Sequence, residues 1–528
     1  MSLPSVRRWA GASPTALALL LVACGPADTR EAGALSLGFA ARALDGPCPE
    51  VATPDPTPPG LTRLDYRLYL PNGTLHRRGG GAVRAGQAPS FGGIPEGEHL
   101  RLELVGTADD GRLWLGGAEE ISIQDGLATH VDVFLSPVVE MACAHQPLAR
   151  RRAFAAAAPL ASDQVLVAGG GVELRAEACG ADCVELVASR SAERFDPGLG
   201  AMLPAAPMRS ARLLASATRL SDGAVLVVGG ASRMRLRAGA GVPFEIAAED
   251  LVPSFEVYLP HEDRWIEKPL PGGQGRVHHS AVALPDGRVL VTGGGVSPAA
   301  ALDDGLLFDP AAESVGDFLP LADHLDAPRL GHVSLLVNNR VLLLGGVTLP
   351  TKSPVEDFTW DAGGGTFSSV PVSGQPMNLF FHAAVRLPLR PDEILMAGGS
   401  FYDGAGSLLV PGVNNSLVYS ISTASAAQAD ALAVGHLMPQ LLPLGERGVV
   451  LAGGFSDLGR TPTESLELFD LLTDQFDVPV GGAGSVRLSV ARAGAAGLSI
   501  PGGRALWIGG LGPDGLLGSA ELFTPDAR

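Results

Sequence analysis

From residue 146 onward, one pattern of apolar and polar positions recurs seven times along the chain. A short apolar run ends in two adjacent glycines, at Gly169-Gly170, Gly229-Gly230, Gly293-Gly294, Gly345-Gly346, Gly398-Gly399, Gly453-Gly454 and Gly509-Gly510. The third repeat shows the pattern in full. Arg276 to Leu284 reads as a strand, Pro285-Asp286-Gly287 as a turn, and Arg288 to Thr292 as a second strand leading into its glycine pair. Two more strands complete the unit. They are marked by Glu193 to Pro197, Gly305 to Pro310 and Glu467 to Asp470, and then by a bulky residue such as Trp265 or Phe318. Short apolar runs bounded by Gly, Pro and Asp predict strands, and no long segment carries a helical period.

Successive glycine pairs stand 52 to 64 residues apart. A self-similar period near 50 residues is the signature of a repeat architecture. On these residues, the chain from 139 to 528 resembles the kelch family. The resemblance implies a seven-bladed β-propeller, with four antiparallel strands per blade and the first strand of each lining a central channel. A glycine pair suits the end of a second strand, where the backbone must turn sharply or lie against a neighbouring blade. The last repeat leaves too few residues for its own fourth strand, so Glu140 to Leu148 is expected to pair with it and close the ring.

Upstream, residues 34 to 138 alternate as a small β-sandwich-like domain, with Arg63 to Leu70 and His99 to Val105 as strands and Asn72-Gly73, Glu96-Gly97 and Asp110-Gly111 as turns. Gly93 to Leu135 resembles the prealbumin-like or immunoglobulin-like modules of surface lipoproteins, which implies a spacer or adhesion role. The extreme N-terminus reads as an address. Arg7 and Arg8 precede an apolar run from Ala16 to Val22, too short to span a bilayer, which ends in Leu21-Val22-Ala23-Cys24-Gly25. This is similar to the lipobox of bacterial lipoproteins. It predicts a signal peptide over 1–23, a lipid on Cys24, a tether over 24–33, and a place in the cell envelope. Gly25 after the cysteine points to the outer membrane.

Composition adds constraints. Glycine (69) and proline (42) are abundant and aromatics are only 5% of the chain, as expected of many short strands joined by tight turns. A net charge of −18 argues against a nucleic-acid groove, which needs a basic face. Besides Cys24, four cysteines remain for an oxidising compartment, and two disulfides are predicted, Cys48 with Cys143 and Cys179 with Cys183. A zinc site in the Cys179–Cys183 loop is the alternative, without a nearby histidine to support it.

Two rings of side chains are candidates for chemistry. His279, His332, His382 and His436 recur on first strands, where they serve either interblade packing or a metal; the packing role is preferred and no metal is expected. Arg152, Arg212, Arg276, Arg329 and Arg492 precede that position by three residues. They form either a cationic collar for an anionic ligand at one channel mouth or buried pairs with carboxylates. The long inserts Gly171 to Arg190, Ala231 to Pro253 and Ser400 to Asn415 all follow glycine pairs and so crowd that same mouth, the expected ligand side.

The kelch propeller is shared by copper radical oxidases resembling galactose oxidase, which need two tyrosines, two histidines and a cysteine joined to a tyrosine. Only Tyr66, Tyr69, Tyr258, Tyr402 and Tyr419 are present, and none adjoins a cysteine. A sialic-acid epimerase is another relative. The sequence therefore predicts a non-enzymatic module, without a cofactor, that binds or scaffolds a protein or glycan. An envelope enzyme acting on sugars is the alternative.

Overall fold

The computed structural model describes residues 32–41, 48, 60–84, 89–177, 180–237, 244–319, 321–348, 353–361, 364–375, 377–401, 414–457, 461–482 and 484–526. The expected signal segment, Cys24 and the expected tether as far as residue 31 lie outside them, and the last tether position, Gly33, opens the first strand. The regular structure of the described residues is β-strand with five short 3-10 turns, arranged as a small strand domain and a seven-bladed β-propeller.

The second blade is representative. Ser216–Arg219, Val225–Val228, Ser254–Leu259 and Arg264–Pro269 pair in chain order, all antiparallel. Its second strand, Val-Leu-Val-Val, is buried at every position, because each blade is covered by a neighbour on both faces. The period-two rule then decides which neighbour each residue meets. Val165 and Val167 pack toward blade seven, while Leu166 and Ala168 pack toward blade two. One apolar cluster fills each of the seven blade interfaces.

The glycine pairs are interblade staples. The N–H of each second glycine donates to a carbonyl on the next blade's first strand: Gly170 to Arg212, Gly230 to Arg276, Gly294 to Arg329, Gly346 to Leu379, Gly399 to His436, Gly454 to Arg492 and, across the closure, Gly510 to Arg152. The first glycine has no room for a side chain. At Gly293, which holds φ +56°, a Cβ would sit 2.4 Å from the Arg329 carbonyl oxygen. Only glycine combines that conformation with so close an approach.

Closure follows the predicted route. A strand at Glu140–Cys143 pairs antiparallel with the last strand, Gly515–Thr524, completing the seventh blade from the opposite end of the propeller sequence. This leaves the ring without an open seam.

The small domain is one seven-stranded sheet that curls around a single core. Its strands are β1 (Gly33–Ala41), β2 (Leu61–Tyr69), β3 (Leu75–Ala82), β4 (Ser90–Ile94), β5 (Gly97–Ala108), β6 (Leu113–Ile123) and β7 (Ala128–Pro137). The order is β3-β2-β5-β6-β7-β1-β4, with β1 and β7 parallel. The domain sits against blades one and seven on the face carrying the turns between first and second strands. There Arg504 Nη1 donates to the Phe134 carbonyl at 2.7 Å, and the Glu119 N–H donates to Asp163 at 2.6 Å. Cys48 and Cys143 form a disulfide spanning 95 residues, tying the segment between β1 and β2 to the closure strand. Closing a loop of that size is worth about 4–5 kcal/mol in the chain-entropy account. Cys183 is also disulfide-bonded. Its expected partner, Cys179, lies outside the described residues.

Candidate functional site

The arginine collar is corrected by the structure. All five guanidinium groups are buried, at 0–1% exposure, and each is consumed inside its own blade. One nitrogen donates to the carbonyl of the first glycine of the pair: Arg152 to Gly169, Arg212 to Gly229, Arg276 to Gly293, Arg329 to Gly345 and Arg492 to Gly509, at 2.8–3.1 Å. The other meets a carboxylate at the third strand: Glu193 (2.5 Å), Glu256 (2.8 Å), Asp304 (2.8 Å), Glu356 and Glu521. The carboxylates are themselves clamped. Glu193, Glu256, Glu356 and Glu521 also accept N–H groups from the segment entering their blade, at Ala149, Arg209, Asp326 and Ser489. A guanidinium with its donors so used has little left to offer an anionic ligand.

The expected histidine register also needs correction. His436 stands where other blades carry arginine: its Nδ1 lies 2.7 Å from the Gly453 carbonyl and its Nε2 lies 3.4 Å from Glu467. In the fifth blade both members of the pair are replaced, by Leu379 and Leu417, which are buried in one apolar cluster. His279, His332 and His382 keep the expected place. Each ring lies against the first glycine of the preceding blade's pair, so a Cβ on Gly229, Gly293 or Gly345 would come within 2.8–3.3 Å of an imidazole. They do serve interblade packing.

The residue just before each of these positions had no signal in the sequence. Phe154, Leu214, His278, Gly331, Phe381, Met438 and Gly494 all hold φ between 53° and 68°, a conformation that non-glycine residues rarely adopt. The reason is a belt of backbone hydrogen bonds around the channel. Leu214 donates to Phe154, Gly331 to His278, Phe381 to Gly331, Met438 to Phe381, and Phe154 to Gly494, at 2.6–3.0 Å. The left-handed turn aims N–H and C=O tangentially, from blade to blade, and directs the side chains into the axis.

The inserts close one end of that axis. Gly171–Glu177, Gly180–Ala188, Arg233–Arg237 and Phe244–Glu245 form a four-stranded sheet of their own. Its inward residues Leu174, Leu186, Met234 and Leu236 pack on the channel cluster, and Phe244 stacks edge-on to Phe381 at 5.4 Å. Glu185, Arg175 and Arg235 alternate onto the opposite face. At the mouth where a ligand site was expected, an apolar lid therefore covers the channel. The third insert lies largely outside the described residues.

Beneath the belt, on the side away from the lid, is a cavity of about 290 Å³. Its polar lining is His278, His279, His332, His382, Ser216 and Gln440, and no lysine, arginine, aspartate or glutamate lines it. His279 Nε2 lies 2.8 Å from Ser216 Oγ, and His332 Nε2 lies 2.9 Å from Thr292 Oγ1. Neither ring nitrogen of His382 meets a hydrogen-bond partner, although the Leu379 carbonyl is near enough to oppose loss of its proton. His278 is half-buried, its ring T-shaped to Phe381 at 4.8 Å. Burial pushes His278 and His382 down to about 4 and His279 to about 3, and His332 falls well below its ordinary value. The cavity wall is apolar with a few polar groups set into it, and it carries no charged side chain of Lys, Arg, Asp or Glu.

A copper-radical centre does not fit these residues. Tyr258 and Tyr419 belong to apolar clusters between blades, and Tyr258 donates to Asp263 at 2.8 Å. Cys143 and Cys183 are held in disulfides. Among the described residues, no group of three or more His, Cys, Asp or Glu side chains is placed to hold a metal ion.

No protein-family profile matches the chain, and none of the curated proteins matches it. Among solved structures it is similar to one described as a novel fungal alcohol oxidase with catalytic diversity among the AA5 family, in complex with copper. The two are 15% identical with a TM-score of 0.51, over 73% of this chain and 75% of that one. Likeness at that identity shows the fold, an all-β propeller. It also corrects the expectation that the chain is not an enzyme, because an enzyme carries this fold while the sequence argument rested only on the absence of a recognisable motif.

Proposed function

We propose that the mature protein is an exported envelope enzyme, anchored by lipid on Cys24, that acts on a sugar within the channel of a kelch-type propeller. The observation that carries this reading is the blind cavity under the belt. Concave sites with a few convergent polar groups in an apolar wall are where small ligands bind, and strained backbone gathers at functional sites. Five non-glycine residues of the belt are held in the left-handed region, and they present His278, Phe381 and Met438 to the cavity. Neutral imidazole both donates and accepts hydrogen bonds, which suits hydroxyl groups and proton transfer. The lipobox-like segment supports the export half of the proposal.

The chain from Gly25 onward, incubated with a panel of sugars and polyols and followed by NMR, should convert at least one of them. His278→Ala and His382→Ala should each abolish the conversion. Binding without turnover by the intact chain would return the protein to the class of envelope binding modules. Mass spectrometry of the membrane fraction should find an acylated N-terminal Cys24 peptide, and a mature chain that starts elsewhere would refute the anchor.

A further inference from the structure

The cavity has a property that narrows its ligand, and the inference rests on the sugar-site reading above. We infer that it selects an uncharged, hydroxyl-rich molecule the size of one sugar ring and rejects acidic sugars, with His278 and His382 as the ligand-contacting residues.

Charge is the first argument. The nearest repeated source of positive charge is the arginine ring; each guanidinium is paired with a carboxylate, at Glu193, Glu256, Asp304, Glu356 and Glu521, and only the residual field of Arg276 and Arg329 reaches His279 and His332. The lining supplies no cation of its own. A carboxylate carried into this space would lose its water and find no side-chain cation in the lining to pair with, which is costly. A hydroxyl group would exchange water for imidazole, serine and amide partners at little net loss.

The free partners are the second argument. His279 and His332 each have one ring nitrogen engaged by a neighbouring hydroxyl, at 2.8 and 2.9 Å. His382 is 6% exposed and lines the cavity, and neither of its nitrogens meets a partner in good hydrogen-bond geometry, although the Leu379 carbonyl lies close enough to favour its protonated form. Buried polar groups are normally satisfied, so an orphaned imidazole facing a cavity marks the place of a missing partner. His278 projects from the belt to the same cavity, half-buried, with its ring against Phe381 and the lid's Phe244. Phe154, Phe381, Leu214 and Met438 supply apolar surface for the C–H face of a ring. A volume of about 290 Å³ lies at the small end of ligand pockets, about 300–1,000 Å³, and suits a monosaccharide better than a chain of them.

The burial that keeps His278 and His382 near 4 supports this picture. The groups facing them are the other two imidazoles, Ser216, Gln440 and apolar side chains, with Arg276 behind, paired to Asp304. Binding should therefore be flat from pH 8 to pH 5 and fall only as the pH approaches 4.

The test is titration of the chain from Gly25 onward, by calorimetry or ligand-observed NMR, with neutral hexoses and hexitols against hexuronic acids of the same size. The expected result is a preference for the neutral class of at least about tenfold, from the cost of an unpaired buried carboxylate. His278→Phe should abolish binding, while His278→Gln, which keeps a donor and an acceptor, should retain part of it. Circular dichroism and the thermal midpoint report whether each variant still folds. Equal or tighter binding of hexuronic acids that is lost in His278→Phe would overturn the charge argument while leaving a sugar-acting enzyme in place. Neutral sugars that bind as predicted without being converted would leave this inference standing and remove the enzymatic reading. Binding unchanged in His278→Phe, or no neutral ligand bound at all, would overturn the cavity assignment.

Discussion

Five blades of this propeller hold the start of the first strand to the third through a buried arginine and a carboxylate, and blade six does so through His436 and Glu467, whereas blade five uses Leu379 and Leu417 at the same two places. The backbone around them does not differ: Gly346 donates to the Leu379 carbonyl as Gly230 donates to that of Arg276, and Gly399 continues the staple to His436. The charged pair is thus not what closes the ring. The difference shows what the pair demands. Two buried charges that neutralise each other are close in free energy to two apolar residues of similar size, but one charge alone is not. The pair can be leucine and leucine, or arginine and glutamate; a mixture strands a charge between blades.

Breaking one member should therefore have the largest effect. Glu256→Ala leaves Arg212, at 0% exposure, with only the longer 3.5 Å carboxylate contact to the half-buried Glu267, and also orphans the Arg209 and Ser210 N–H groups. A loss of about 3–5 kcal/mol is expected, read by urea denaturation. Leu379→Arg should do similar damage in blade five by adding the charge without its partner. If either variant costs less than about 1 kcal/mol, the pair is solvated and the comparison fails.

The staple should be equally strict in both kinds of blade. Gly293→Ala and Gly345→Ala place a Cβ 2.4 Å from the next blade's carbonyl oxygen, at Arg329 in one case and Leu379 in the other. Both should lose about 1–3 kcal/mol, and a large disparity between them would tie the glycine requirement to the arginine side chain.

Blades one and five also differ at the turn between first and second strands. In blade one that turn carries Asp163 against the small domain, while in blade five it carries exposed Leu389. Burial raises Asp163 to about 6. A raised carboxylate binds its proton more tightly in the folded state, so stability declines as pH rises through the window from about 4 to 6 and recovers on acidification. The expected size is of order 1 kcal/mol after solvent screening of a partly exposed group. Thermal midpoints of the chain and of Asp163→Asn across that window should show the slope vanish in the variant.

The smallest effect is expected from the double change Arg212→Leu with Glu256→Leu, which rebuilds blade two in the manner of blade five. Its stability should lie within about 1 kcal/mol of the parent. A double variant as damaged as the single one would show that clamping the entering N–H groups, and not charge balance, is the pair's main contribution.

The sequence by itself determined the architecture. Seven glycine pairs, turn residues and period-two strands specify a propeller, because each repeat must bury both faces of its second strand against neighbours. The order of strands around the closure followed from counting residues after the last pair, and the Cys48–Cys143 bridge from having few cysteines to pair. Tertiary structure alone decided the site. Whether Arg276 faces a ligand or Asp304 depends on a carboxylate 28 residues away, on a strand whose depth no local pattern records. The lid arises because two inserts from different blades pair with each other, a long-range contact invisible to periodicity. His278 became notable only through a left-handed backbone angle that non-glycine residues almost never announce, stabilised by hydrogen bonds that exist once the ring has closed.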